Sequence, residues 1–418
     1  MDALLSHLED AEPDNILKSA EEFKNDKSDV KVNLSIGVCC DDNGQLHTFR
    51  SVLEAEKLVQ QRYKEKPYLL SNGTKQFSLL TQKLIFGENS KYMKEKKICT
   101  VQAIGGTGSI FIVLQLFKML HIRDICVTNR PYINHVNMIT SCGFKVKYIS
   151  FFEDKLVNIN YDAFLSDLRN LEDGSIVMLQ VSCYNPCSTN IEDIYFDQIA
   201  DIVWKKKHVI VFDVAYQGFG SPNLNDDVSL IRKFEERGIS FAVCQSFSKN
   251  MSLYGERAGA LHIICKSKEE RKIVANSLRI IIRKLYSSPT LHTNRIVCQL
   301  LEDEKLKSEW INDLRELSER VHKNRVLFFE KMELHQKKFD LHYDWSVYKK
   351  QSGIFSFVPV FAGIYDQLKE HHIYIIDNGR INVSGLTARN VDYVAEKVCL
   401  SLAGKRKDEA GGPRGGSI

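Results

Sequence analysis

The sequence has few prolines, little net charge and no long apolar run, and each absence excludes a class of protein. Eight prolines and 23 glycines in 418 residues are too few for a fibrous or broadly disordered chain. The formal net charge of +4 falls to +2 without the final stretch GKRKDEAGGPRGGSI, which is too little to indicate a nucleic-acid partner. No window reaches the roughly 18 to 20 apolar residues of a membrane span, so we expect no membrane partner either.

The eleven cysteines include no Cys-x-x-Cys pair, and their odd number does not favour a framework of disulfides. Cys183 and Cys187 are separated by three residues, but no second Cys or His cluster has metal-ligand spacing, so we expect no metal site. The first residues hold no apolar run typical of a signal peptide and are acidic, whereas a mitochondrial transit peptide is basic. We therefore predict reduced thiols and a cytoplasmic location.

The middle of the chain alternates short apolar runs with longer amphipathic ones. The clearest strand patterns are DICVTN (124–129), SIVMLQVSC (175–183), HVIVFDVAY (208–216) and SFAVCQSFS (240–248). Between the second and third, IEDIYFDQIADIVWKKK (191–207) has helical spacing and a lysine-rich last turn, which suits the helix dipole. This order predicts an α/β region whose mostly parallel sheet is covered on both faces.

The last third of the chain changes pattern. A long amphipathic helix is predicted over 309–334, and strand-like runs follow at 353–360 and 373–384. Because these strands come after a long helix and do not alternate with short ones, we assign them to a second, smaller α+β domain. The predicted organisation is a small domain from 15–45 and 318–404, a large domain from 46–317, and a disordered tail at 405–418.

A glycine turn, GGTGS (105–109), leads directly into an apolar helical segment. Backbone amides at a helix N-terminus bind phosphate well, although about half of such turns need no ligand. The turn is not a dinucleotide fingerprint, because Phe111 stands where the third glycine belongs. A nicotinamide-dependent oxidoreductase is therefore a weak alternative.

Two predicted strands end in residues that are costly to bury. Asp213 ends the run VIVF, with Tyr216 three residues on, and Lys249 follows the strand that carries Ser246 and Ser248. A strand-end aspartate is as often a structural cap as a site residue, and most lysines are solvated. A phosphate cradle, an aspartate and a lysine at the carboxyl edge of one sheet are, however, the parts that a pyridoxal phosphate site requires.

The order of these motifs resembles a known family. GGTGS, Asn185–Pro186, DVAYQGFG, SFSKN with LYGERAGAL, and NGRIN together are similar to the fold-type I, class I aminotransferases, and most closely to the aspartate aminotransferases. The similarity runs over nearly the whole chain. It implies a large domain with a mostly parallel, mixed seven-stranded sheet flanked by helices, a small α+β domain, and an N-terminal arm at residues 1–14.

The resemblance also implies a role for each site residue. Lys249 would bind pyridoxal phosphate covalently and carry the transferred proton, and Asp213, supported by His135, would bind the pyridine nitrogen. Tyr216 and Asn185 would contact the phenolic oxygen of the cofactor. The residues implied to bind the phosphate are Gly106, Thr107, Ser246, Ser248 and Arg257, together with the partner subunit's Tyr68. That sharing implies a homodimer.

Two arginines would select the amino and oxo acid substrates. Arg380 resembles the clamp for the α-carboxylate, with Asn185 and the Gly37 backbone beside it, because a guanidinium binds a carboxylate with two hydrogen bonds. Arg283 matches the family's arginine for the distal carboxylate, donated across the dimer. From the residues alone, an arginine at the end of a basic helix is usually solvated, so this role depends on the resemblance.

The sequence departs from the family pattern at two places. Tyr132 stands where the family has a tryptophan stacked on the cofactor, and the family's NPTG is here NPCS, with Cys187 and Ser188. Tyr132, which we place among the cofactor and substrate contacts, is the smaller ring. The prediction is a ping-pong aspartate aminotransferase; the alternatives are an aromatic or broad-specificity aminotransferase and a non-catalytic homologue of the fold.

Overall fold

The computed structural model of the chain describes residues 5–7, 15–153 and 158–411. The strands are β1 (Val32–Asn33), β2 (Ile98–Ile104), β3 (Asp124–Thr128), β4 (Lys145–Ile149), β5 (Ile176–Gln180), β6 (Val209–Val214), β7 (Phe241–Ser246), β8 (Ala258–Ile264), β9 (Phe355–Phe357), β10 (Ile373–Tyr374) and β11 (Arg380–Asn382).

Helices lie between these strands and on both sides of the large sheet. They are α1 (Asn15–Asn25), α2 (Arg50–Arg62), α3 (Lys75–Phe86), α4 (Lys91–Lys94), α5 (Gly105–Met119), α6 (Ile133–Ser141), α7 (Tyr161–Asn170), α8 (Phe196–Lys206), α9 (Ser229–Glu236), α10 (Lys268–Leu285), α11 (Leu291–Glu302), α12 (Glu304–Lys338), α13 (Ser346–Lys349), α14 (Tyr365–Glu370) and α15 (Val391–Gly411). Short 3₁₀ turns lie at Asp193–Tyr195, Asp226–Val228, Pro359–Ile364 and Val383–Gly385.

Seven strands form one mixed sheet in the order β2-β8-β7-β6-β5-β3-β4. Only β8 runs antiparallel to its neighbours, β2 and β7, and the other pairs are parallel. The predicted fold class, a mostly parallel seven-stranded sheet flanked by helices, is confirmed. The four strands predicted from apolar runs are β3, β5, β6 and β7, each slightly shorter than its pattern.

The central strands are apolar on both faces because both faces are covered. Along β5, Val177 and Leu179 belong to one core cluster, whereas the alternating residues Ile176 and Met178 belong to the cluster on the opposite face. This two-residue alternation is what a pleated strand requires when helices pack on each side. Helices α7, α8 and α9 contribute to the first layer, and α5, α6 and α10 to the second.

The remaining strands form two small sheets near the chain ends. β9 pairs antiparallel with β11, and β1 pairs parallel with β10, so that Val32 lies opposite Ile373. Helix α12 has 35 residues and passes without a break through the predicted domain boundary at 317/318. The division into domains therefore stays a prediction. The predicted arm falls largely on residues 1–4 and 8–14, outside the described residues, and of the predicted tail only 405–411 are described, at the end of α15.

Every one of the eleven cysteines is a buried, free thiol. In the part of the chain that the structure describes, no three His, Cys, Asp or Glu side chains are grouped so that they could hold a metal ion. No helix within the described ranges is both long and apolar enough to cross a membrane.

Candidate active site

The candidate site lies at the carboxyl edge of the large sheet. Asp213 is the penultimate residue of β6 and Ser246 the last residue of the adjacent parallel strand β7, with Asp213 in register with Cys244. Lys249 follows β7 by three residues and reaches the same edge. Sheets of this type bind ligands at this edge, because the loops that leave the strands converge there.

A cradle for an anion forms where β2 turns into α5. Gly105 has a φ of 75°, and a Cβ on it would overlap with Nη2 of Arg257, so the guanidinium packs directly against bare backbone. A Cβ on Gly106 would similarly lie 3.1 Å from Cβ of Ser246. Arg257 Nη1 donates a hydrogen bond of 3.2 Å to Ser248 Oγ. A helix N-terminus, two hydroxyls and one guanidinium therefore converge, which is the donor set of a phosphate site.

Lys249 is half-buried beside this cradle, with Nζ 5.0 Å from the centre of the Tyr216 ring. Burial lowers its pKa below the ordinary lysine value, and the charges of Arg257 and Arg380 lower it further, whereas Asp213 and Cys39 oppose the shift. A larger fraction of the amine is therefore neutral near pH 7 than in a solvated lysine. The neutral amine is the form that attacks a carbonyl.

Asp213 is 7% exposed and is oriented by a histidine. His135 Nε2 lies 2.9 Å from Asp213 Oδ2, and the ring of Tyr132 packs edge-on against the imidazole at 5.2 Å between centroids. His135 thus holds the buried carboxylate through Oδ2, and Oδ1 is the oxygen that would face a ligand. His135 and Tyr132 both lie at the start of α6, which explains why the two are positioned together.

Arg380 lies in β11 and is 5% exposed. Its Nη2 donates to the carbonyl of Ser35 at 2.7 Å, its Nη1 donates to Asn185 Oδ1 at 3.3 Å, and its guanidinium lies 4.1 Å from the centre of the Phe355 ring. A Cβ on Gly37 would lie 3.0 Å from Phe355, so this loop approaches the same ring closely. The arginine is therefore held on three sides at the position that the sequence predicted for a carboxylate clamp.

A cleft of about 640 Å³ opens in front of Arg380. The residues that line it include Arg130, Tyr132, Asn185, Phe357, Asp377 and Arg380. Arg130 and Asp377 were missed by the sequence reasoning. Arg130 could have been found, because it follows the carboxyl end of β3 by two residues and thus lies at the same edge of the sheet as Asp213.

Two predicted residues lie elsewhere in the single chain. Tyr68 is 92% exposed, and Arg283 is exposed with its Nη1 bonded to Ser287 Oγ. Neither lines the cleft among the described residues. Thr107 is also exposed, but it lies on the first turn of α5 at the cradle. Ser188, which replaces the family's glycine, adopts a φ of 57°, so the turn keeps the left-handed conformation that glycine favours.

The turn after β6 is held by a buried carboxylate that the sequence did not reveal. Asp227 Oδ2 accepts hydrogen bonds from the backbone amides of Gly218 at 2.6 Å and Gly220 at 3.1 Å. These glycines follow Tyr216, whose phenol has its pKa raised by burial and therefore stays protonated as a hydrogen-bond donor. Asp227 thus fixes the turn that carries Tyr216.

We expect the stability of the protein to fall less steeply with rising pH in Asp227→Asn than in the wild type. Burial raises the pKa of Asp227 to about 7, so the folded state binds more protons than the unfolded state between the ordinary aspartate pKa and pH 7. Stability must therefore decrease as the pH rises through this window. Tm measured from pH 4 to pH 8 tests this, with the exposed Asp162→Asn as control. Parallel Tm profiles of Asp227→Asn and the wild type would contradict the expectation.

The residues at this edge fit pyridoxal phosphate. The cradle offers amides, hydroxyls and Arg257 for a phosphate, and the bare glycines leave room that a Cβ would fill. Asp213 offers a buried carboxylate for a pyridine nitrogen, and Lys249 an amine with a lowered pKa for an aldehyde. Fold and site together define a pyridoxal-phosphate enzyme of fold type I.

The chain belongs to the aminotransferase class I and II family, whose model matches residues 29–398. It is therefore a transaminase that uses pyridoxal phosphate, and the resemblance to aspartate aminotransferases is confirmed. A solved aspartate aminotransferase of Plasmodium falciparum is 66% identical, with a TM-score of 0.95 over 96% of this chain and 100% of that chain.

Two further relatives have diverged more. A mitochondrial aspartate aminotransferase of Gallus gallus is 32% identical over 94% of this chain and 93% of its own length. A solved aromatic-amino-acid aminotransferase from Burkholderia pseudomallei, covalently bound to pyridoxal phosphate, is 33% identical, with a TM-score of 0.91 over 96% of this chain and 99% of that chain.

Proposed function

We propose that the protein is an aspartate aminotransferase, which transfers the amino group between L-aspartate and 2-oxoglutarate and yields oxaloacetate and L-glutamate by a ping-pong route. The observation that carries this proposal is the position of Arg380, a buried and tethered guanidinium that lines the cleft and whose charge acts on Lys249. The similarity to the Plasmodium falciparum enzyme supports the choice of substrate pair.

Each residue of the site then has a defined task. Bound pyridoxal phosphate supplies an electron-withdrawing ring that stabilises negative charge on the substrate carbon. Asp213 holds a proton at the ring nitrogen, and His135 keeps the carboxylate in place. Lys249 Nζ would anchor the cofactor and move the proton from the substrate Cα, because its lowered pKa leaves more of the amine neutral and able to accept a proton near pH 7. Tyr216 donates its phenolic proton to the cofactor's ring oxygen.

The phosphate and the substrate are bound by separate cations. Arg257 and the amides of α5 bind the phosphate, whereas Arg380 binds the α-carboxylate with its fork of N–H groups. Gly106, Thr107, Ser246 and Ser248 complete the phosphate site. Two anionic groups, the phosphate and the α-carboxylate, would thus be bound by different arginines, which accounts for the need for both.

The active form is proposed to be a homodimer with shared sites. Tyr68 and Arg283 are exposed and do not line the cleft among the described residues, yet each matches a family residue that reaches into the other subunit's site. The exposed side chain of Leu70, two residues after Tyr68, gives this face apolar area to bury. The partner subunit's Tyr68 would reach the phosphate, and the partner's Arg283 would meet the distal carboxylate.

We expect Arg283→Gln to lose the preference for aspartate over phenylalanine. A lost charge-assisted hydrogen bond weakens the reaction with aspartate by roughly 10- to 100-fold and leaves phenylalanine unaffected, because phenylalanine has no second carboxylate. Single-turnover half-reactions of the cofactor-loaded protein measure this through the visible absorbance. The control is Arg279→Gln, one turn earlier on α10 and equally exposed.

A mixed dimer tests the sharing directly. A chain with Lys249→Ala and a chain with Arg283→Gln are each deficient alone, but their hybrid contains one site with both residues intact. Recovery of aspartate turnover on mixing supports the shared site. If the hybrid shows no recovery although it forms, the assignment of Arg283 to the partner's site is wrong.

The second candidate is an aromatic or broad-specificity aminotransferase. Tyr132 replaces the family's tryptophan in the cleft, and the aromatic enzyme from Burkholderia pseudomallei has the same fold. Comparable half-reaction rates for aspartate and phenylalanine in the wild type would favour this candidate. The cytoplasmic location stays a prediction, because the Gallus gallus relative is mitochondrial.

A further inference from the structure

Gln102 is a fully buried glutamine near the end of the edge strand of the large sheet. It lies in β2, three residues before Gly105 of the cradle. Because β2 pairs with β8 on one side only, its other side offers backbone groups to further partners. A buried side-chain amide must also find partners for its oxygen and its NH₂ group, since leaving them unbonded is costly.

The backbone of Gln102 is covered by the loop that carries Tyr68, which we call the Tyr68 loop (68–74). The Gln102 amide donates a hydrogen bond of 3.1 Å to the carbonyl of Asn72. Gly73 has a φ of 81°, and a Cβ on it would lie 2.7 Å from Cβ of Gln102. A residue without a Cβ therefore lets the Tyr68 loop pass directly over the Gln102 side chain.

The side chain of Gln102 holds a second piece of chain, the Arg283 segment (283–294). Gln102 Nε2 donates to the carbonyl of Thr290 at 2.8 Å, and Gln102 Oε1 accepts from Asn294 Nδ2 at 2.7 Å. The hydroxyl of Tyr286 lies 3.5 Å from the Gln102 carbonyl oxygen. All four polar groups of Gln102 thus contact either the Tyr68 loop or the Arg283 segment.

The Tyr68 loop and the Arg283 segment are also bonded to each other. Ser71 Oγ donates a hydrogen bond of 2.7 Å to the carbonyl of Ser287. The hydroxyl of Ser287 in turn accepts a hydrogen bond from Arg283 Nη1. The two exposed residues that the proposed function assigns to the partner's site are therefore carried by one hydrogen-bonded unit, with Gln102 at its buried centre.

We propose that Gln102 is a positioning residue that joins the Tyr68 loop to the Arg283 segment, so that one subunit presents Tyr68 and Arg283 together to its partner's site. This inference rests on the proposed function, a homodimeric aminotransferase with shared sites. Misplacing a substrate-binding group by about 1 Å can cost roughly 100-fold in rate, even when the change lies far from the chemistry. A substitution of Gln102 should therefore impair the site of the partner subunit and spare the site of its own chain.

The test uses hybrid dimers that contain one complete site. Each hybrid pairs a chain that keeps Lys249 with a chain that carries Lys249→Ala, and it is purified through a different affinity tag on each chain. In the trans hybrid, Gln102→Met lies on the Lys249→Ala chain, which donates its loops to the complete site. In the cis hybrid, Gln102→Met lies on the chain that keeps Lys249. Methionine has about the length of glutamine without its amide donors and acceptor.

We expect kcat/KM for aspartate to fall roughly 10- to 100-fold in the trans hybrid and to stay within about threefold in the cis hybrid, relative to the hybrid without Gln102→Met. The matched control is Gln82→Met. Gln82 is also a buried glutamine, and its Nε2 donates at 2.7 Å to Thr100, two residues before Gln102 on β2. Its loss removes a buried hydrogen bond that joins neither the Tyr68 loop nor the Arg283 segment, so both control hybrids should keep their activity.

Equal losses in the cis and trans hybrids would overturn the proposal, because Gln102 would then act on the fold as a whole. A loss confined to the cis hybrid, or no loss in either, would also overturn it. If Gln102→Met does not fold, Ser71→Ala takes its place, since it removes the bond to the Ser287 carbonyl at a partly buried position. The same outcomes then support or overturn the proposal.

Two separate measurements show whether the proposed function itself fails. A wild type without aspartate turnover would overturn the proposed activity, and a hybrid of Lys249→Ala with Arg283→Gln that shows no recovery would overturn the shared site. When the wild type is active and that hybrid recovers, the absence of a trans effect overturns only the role of Gln102.

Discussion

Replacing Lys249 by alanine is expected to abolish turnover and leave the fold intact. The lysine both anchors pyridoxal phosphate and moves the proton, so its loss removes nucleophile and general base together, and we expect a decrease in kcat of roughly 10⁴-fold or more. The side chain is half-buried and is not a member of the hydrophobic core clusters, so the substitution removes little packing. Half-reactions with aspartate and the far-ultraviolet circular dichroism of both proteins measure the two effects.

The control for this experiment is Lys272→Ala, an exposed lysine on α10 that lies outside the cleft. Lys249→Arg is a second variant that keeps the cation, yet a guanidinium does not lose its proton near neutral pH and cannot serve as the base. Appreciable turnover in Lys249→Ala would contradict the assignment.

The strands of the large sheet could be predicted well from the sequence, because each buried strand is marked by its own short run of apolar residues. Strands such as β5 are buried on both faces, so they form apolar runs, and a charged residue at the end of such a run is conspicuous. Asp213 and Lys249 were found in this way before any resemblance was used. The structure brings both to one edge, with Arg257 against Gly105.

What the sequence did not reveal depends on distant contacts. β8 is antiparallel in an otherwise parallel sheet, and only pairing with β2 and β7 shows this. Asp227 is buried because it binds the amides of Gly218 and Gly220, whereas in the sequence it is one of two acids in a polar loop. The predicted boundary at 317/318 falls inside α12, an amphipathic helix with no local mark at that point, and the division into domains stays a prediction.

Replacing Asp213 by asparagine is expected to produce the second largest loss, a decrease in kcat of roughly 10²- to 10³-fold, as found when one preorganised electrostatic partner is removed from a site. The amide is nearly the same size, so the packing against His135 remains, but the negative charge that holds a proton at the ring nitrogen is gone. Because Arg257 and the α5 amides bind the phosphate independently of Asp213, cofactor content measured by visible absorbance should fall much less than kcat.

A comparison of two substitutions at this carboxylate separates charge from size. Asp213→Asn removes the charge, whereas Asp213→Glu keeps it and shifts its position, so the glutamate variant should retain more activity if charge at the ring nitrogen is what matters. The exposed Asp173→Asn, whose carboxylate pairs with Lys206 at the surface, controls for loss of an acid elsewhere. Turnover of Asp213→Asn within about threefold of the wild type would mean that the aspartate serves only as a structural partner of His135, and that the ring nitrogen is held in another way.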